Sequence, residues 1–320
     1  MIKIFVGNRS GVLLFLPVLV VIYAAFNFMM NYYVSSPVSG FGFYGELLPE
    51  KSLLSQILAP LLILLNAILL NAIFNRNGFM EKNNYLPALL YVVGKSYFHS
   101  YYFISGFGLA ETFMIFAFMQ VFRLDQNSDG KKAVFNAAFF AGLAASFYPI
   151  LLLFFPFLFV IVWVLRPFVF RESTLLAIGF IIPLFYAGCY STLFGVPIRG
   201  DSFTGFPTEW KFPDLYVIAG GLLLLGMAAV SLISQKLGQS SIRLKKLFRV
   251  LLWMILFYTL LSVFELLLLR KLDVPSLSIG WLAFLLTYGF GVKQVRQFPG
   301  FVFYLLLIFS VGKFFISFDF

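Results

Sequence analysis

Lys95, His99, Glu111 and Glu265 fall inside stretches apolar enough to lie in a membrane. A charge there costs at least ~2.5–3.5 kcal/mol, so such residues face a cavity or pair with one another. Lys95, His99 and Tyr102 are spaced i, i+4, i+7, which predicts one shared face of a helix over 85–104. A turn at Ser105-Gly106 leads into the next helix, where Glu111 follows about five residues later. His99 and Glu111 are then expected at similar depth, and Glu265 at the same outer-leaflet level. Such a set could relay protons, oppose a phosphate, or tie helices together through a pair such as Glu111 with Lys95. Glu111→Leu is expected to leave insertion intact, because it removes a carboxylate from lipid.

Other candidates lie nearer the surface. Glu46 and Glu50, between the first two apolar stretches, could act as a general base or hold a divalent ion beside a phosphate. Arg243, Lys245, Lys246 and Arg249 form the most basic segment, suited to anionic lipid heads or a lipid phosphate. Arg171-Glu172 is expected to be a structural pair in a tight cytoplasmic turn. Asn66, Asn71 and Asn75 are expected to make interhelical hydrogen bonds. With one Cys and one His, no disulfide, thiolate metal site or multi-histidine iron centre can form within the chain, so no metal or cofactor is expected.

The elements that must position these residues follow from composition. The 320 residues are 61% hydrophobic and 11% charged, with mean hydropathy +0.96, too apolar for a globule that keeps a polar surface. The apolar residues come in blocks long enough to span ~30 Å of hydrocarbon. The expected fold is all-α, a single polytopic membrane domain over 1–320. Its spans are placed near 11–34, 53–74, 85–104, 107–123, 134–148, 150–166, 174–194, 215–234, 250–269, 276–292 and 300–316. The first is read as an uncleaved span rather than a signal peptide. Eleven crossings with a cytoplasmic N-terminus and an outer C-terminus place most Lys and Arg inside, as the positive-inside rule requires. Laying 85–104 on the surface would reverse that bias. Tyr148-Pro149 separates the two short spans between 134 and 166. The net charge of +10 belongs to span ends and lipid heads, not to nucleic acid.

From Phe135 to Pro183, Gly142, Tyr148-Pro149, Arg166-Pro167-Phe168, Arg171-Glu172, Gly179 and Pro183 resemble an uncharacterised family of bacterial inner-membrane proteins. The likeness covers the middle third of the chain. Members are sometimes labelled carotene oxygenases, but carotenoid-cleaving enzymes hold iron with four histidines and this chain has only His99. In architecture the chain is also similar to membrane glycosyltransferases that use polyprenyl-phosphate sugars. That resemblance implies an acid in the first outer loop, at Glu46 or Glu50, though the loop here is shorter.

Three functions follow as expectations. The first is a non-enzymatic subunit of an envelope assembly or transport system in the bacterial inner membrane, with lipids and other membrane proteins as partners. The second is glycosyl transfer from a lipid-linked donor at the outer face. Its acid would be Glu46, Glu50 or Glu111, with Lys95, His99 or Arg199 opposing the phosphate. The third is a proton-coupled secondary transporter using Glu111, His99 and Glu265 as a relay.

Overall fold

The computed structural model describes residues 5, 10–30, 40–45, 47, 52–124, 130–167, 169–196, 212–269, 274–290 and 297–315. Glu46, Glu50 and Arg199 lie outside the described residues. The fold is all-helical, with eleven α-helices among the described residues. They are α1 (Phe15–Met30), α2 (Leu53–Arg76), α3 (Leu86–Lys95), α4 (Gly106–Val121), α5 (Lys131–Phe147), α6 (Phe154–Leu165), α7 (Phe170–Leu193), α8 (Phe212–Gln239), α9 (Ile242–Leu269), α10 (Pro275–Tyr288) and α11 (Gln297–Gly312). Each overlaps one of the stretches expected from hydropathy. Four helical stretches are long and apolar enough to cross a membrane: 11–30, Leu53–Arg76, Phe170–Leu193 and Ile242–Glu265.

The largest departure is in the first half of the 85–123 hairpin. No helix runs over 85–104. Instead α3 stops at Lys95, where the Ser96 hydroxyl donates back to the Val93 carbonyl at 2.7 Å. Phe98 is extended, and His99–Tyr101 forms one tight 3-10 turn before the chain reaches Ser105, the N-cap of α4. The helical face predicted for Lys95, His99 and Tyr102 therefore does not exist. Serines hydrogen-bond their own neighbourhood and compete with a helix, and here Ser96 comes two residues after Gly94.

The interrupted segment still runs the length of α2. At one end the Asn84 amide donates to Asn75 Oδ1 at 2.9 Å, and at the other the Ile104 amide donates to Ser55 Oγ at 3.0 Å. Those two partners stand roughly twenty residues apart on α2, about 30 Å of helix. Phe79 and Phe122 then meet edge-on at 6.0 Å, which returns α4 to the level where α3 began. Within a membrane, non-helical backbone is tolerated only inside protein or along a cavity. Most of residues 96–105 are in fact buried.

Two short helices form the middle of the bundle. All ten residues of α3 are buried, and so are nearly all of α10. Each has a proline in its first turn, where the missing N–H costs nothing. They pack antiparallel: a Cβ on Gly94 would lie 2.7 Å from the Ile279 side chain, and one on Gly280 would lie 3.6 Å from Tyr91. Gly94 thus lets the end of α3 approach the start of α10. A second tight contact joins α5 to α7. The Ala-rich α5 places Gly142 against the backbone of Phe180, while Gly179 of α7 faces the Phe135 carbonyl. Small residues are how helices come close where lipid removes the hydrophobic drive. The break expected at Tyr148-Pro149 is present: Tyr148 is extended, as a residue before proline prefers, and a 3-10 stretch follows.

Candidate functional site

The end of α3, the first turns of α4 and the start of α10 converge on one ion pair. Lys95 Nζ lies 2.7 Å from Glu111 Oε2, with side-chain exposures of 0% and 5%. The ammonium also donates to Ser276 Oγ at 3.2 Å and sits over the rings of Phe107 (5.2 Å) and Tyr91 (5.9 Å). Lys95 occupies the last turn of α3, where the helix dipole favours a cation. Ser105 caps α4 by accepting from the Gly108 amide, which fixes where Glu111 emerges. Of the four ionisable residues in these apolar stretches, the structure joins Lys95 and Glu111 directly.

The other two have different surroundings. Glu265 is fully buried and accepts from the Tyr148 hydroxyl on one oxygen and from the Val274 amide, at 2.9 Å, on the other. It ties the α5–α6 break to the N-terminus of α10, where a carboxylate suits the dipole. The link to the ion pair runs through packing, since the Tyr148 ring meets Phe107 edge-on at 5.2 Å. His99 stacks on Phe103 at 5.1 Å in the 3-10 turn. Glu111 is thus held by Lys95, Glu265 by Tyr148 and Val274, and His99 lies against Phe103.

A second buried cation was not among the candidates read from the sequence: Lys313 is fully buried just beyond α11. It donates to the Ser96 carbonyl and lies over the rings of Tyr97 (4.9 Å), Phe314 (5.2 Å) and Tyr102 (5.7 Å). The aromatic run Tyr97 to Phe103 was the available signal, because such rings can hold a cation away from water. Tyr102 reaches the same Ser96 carbonyl at 2.7 Å, and Tyr97 donates to the Leu306 carbonyl at 2.5 Å. The irregular segment is thereby bound on one side to α11.

Beside the ion pair is a cavity of about 10 Å³, lined by Glu111 and Tyr258 together with Leu70, Met114, Leu277 and Trp281. The Tyr91 hydroxyl lies within reach of Asn66 and Glu111, whereas the Tyr258 hydroxyl and Asn71 Oδ1 are buried without a well-formed hydrogen bond among the described residues. Left dry, each would cost ~1–3 kcal/mol. Asn66 Oδ1 accepts from Thr112 Oγ1 at 2.9 Å, the interhelical bond expected of that asparagine.

The surface candidates separate. Arg243, Lys245, Lys246 and Arg249 lie on the first two turns of α9 rather than in a loop. Arg243, Lys245 and Arg249 are exposed. Lys246 instead donates to the Leu165 carbonyl at 3.1 Å, closing the end of α6. Arg171 is exposed in the first turn of α7 and is not the partner of Glu172. Glu172 pairs with Arg166 at 3.5 Å across the α6–α7 connection. Adjacent residues on one helix point apart, whereas Arg166 sits on the approaching chain. Among the described residues, no group of three or more His, Cys, Asp or Glu could hold a metal ion. Comparison with protein-family models, curated proteins and solved structures gives no match to this chain.

Proposed function

We propose that the chain is an eleven-crossing protein of a bacterial inner membrane, cytoplasmic at its N-terminus, and that it serves as a non-enzymatic transport component of the envelope. Its working element is the Lys95–Glu111 pair. The observation that carries this reading is the interruption of α3 at Lys95: buried irregular backbone, a buried ion pair at the break, and the N-terminus of a second short buried helix against it. Discontinuous helices around ionisable groups are how secondary transporters build a site that can open to either side. Glycosyl transfer is less well supported. It needs a carboxylate open to a lipid-linked donor; Glu46 and Glu50 lie outside the described residues, and Glu111 is 4% exposed and held by Lys95.

The reading is tested by cysteine accessibility in a Cys189→Ser background. Ser276→Cys places a thiol where the Lys95 ammonium now meets a hydroxyl. A transport pathway predicts modification by a small membrane-impermeant thiol reagent from at least one face of sealed vesicles, at a rate that Glu111→Gln changes. No modification from either face would make the pair a structural tie and end the transport reading.

A further inference from the structure

We propose that the cavity between Glu111 and Tyr258 is a water site, and that its single water is the group with which Glu111 exchanges its proton. This rests on the transport reading above and specifies its coupling ion. The cavity, about 10 Å³, has room for one water molecule. Glu111 and Tyr258 line it, and both are more than nine-tenths buried. The Tyr258 hydroxyl faces Trp281 and makes no well-formed hydrogen bond among the described residues. Asn71, whose Oδ1 is unpartnered among the described residues, follows Leu70 of the same wall on α2.

The molecule contains its own control. A second void of about 10 Å³ among α3, α8, α10 and α11 is lined only by apolar residues, including Leu90, Val93, Ile279 and Phe303. Cavities of that kind stay dry, while buried water needs two to four polar partners. A metal cation is a poor alternative occupant, since the Lys95 ammonium already sits 2.7 Å from the carboxylate.

The proton step balances on these groups alone. A proton arriving on the water as hydronium moves to a Glu111 oxygen: one O–H bond of hydronium breaks, one forms on the carboxyl, and neutral water remains. Glu111 loses its charge, so its attraction for Lys95 falls. The ammonium keeps Ser276 Oγ and the faces of Phe107 and Tyr91. Release reverses the step.

Two measurements test this. An experimental structure fine enough to show ordered water should have one peak within hydrogen-bonding reach of both Glu111 and Tyr258, and none in the Leu90–Phe303 void. Infrared spectroscopy of the acidified protein in deuterated buffer should show the Glu111 carboxyl exchanging about tenfold more slowly in Tyr258→Phe, the loss expected from one buried hydrogen bond. An empty cavity in the wild type overturns the water site even if Tyr258→Phe does not fold. A water present with unchanged exchange overturns the relay. Modified Ser276→Cys beside an empty cavity would sink this inference alone, whereas unmodified Ser276→Cys would sink the transport reading.

Discussion

At the scale of single residues, the energetics of the Lys95–Glu111 pair are asymmetric. Removing one partner of a buried pair strands the other charge and costs ~3–5 kcal/mol, while replacing both by apolar groups is often neutral. Lys95→Met and Glu111→Leu should therefore each lower stability by that amount, measured by denaturant unfolding in micelles. The double variant should return to within about 1–2 kcal/mol of the wild type. Glu111→Leu should still insert, since it removes a carboxylate from lipid, but it strands Lys95 at 2.7 Å and so weakens the folded bundle. The basic residues also divide. Lys246→Met should cost about 1 kcal/mol for the lost bond to Leu165, with little dependence on salt. Arg171→Ala should stay within ~0.5 kcal/mol of wild type in the same unfolding measurement.

At the scale of elements, helix existence was legible because long apolar blocks admit little else, and Pro149 marked a real boundary. The end of α3 was not legible. Its apolar pattern continues through Tyr97, Phe98 and Tyr101, and no periodicity shows that Tyr97 and Tyr102 turn toward Lys313 at the end of α11. That pairing joins residues more than two hundred positions apart, which a periodicity argument never compares. Glu265 illustrates the same limit, since its partner Tyr148 comes from a different helix end. The α5–α7 contact makes its own prediction. A side chain at Gly142 would drive into the Phe180 backbone, so Gly142→Leu should destabilise by about 1–3 kcal/mol or prevent folding. Gly188 meets nothing within 4 Å, so Gly188→Ala should be neutral in the same unfolding or expression assay.

At the scale of the whole molecule, the account depends on residues 84–105 completing a membrane crossing although only α3 within them is α-helical. Their anchors on α2, at Asn75 and Ser55, stand about 30 Å apart, which matches the hydrocarbon thickness. The ion pair then lies within the membrane, and every later helix inherits its direction from this segment. The most direct test places single cysteines at the exposed positions Asn83 and Lys245 in a Cys189→Ser background and treats intact cells with a membrane-impermeant maleimide. The account predicts that both thiols are protected in intact cells and that both react once the membrane is opened. Protection of Asn83→Cys together with outside labelling of Lys245→Cys would show that 84–105 does not cross, and would contradict the topology on which the proposed pathway is built.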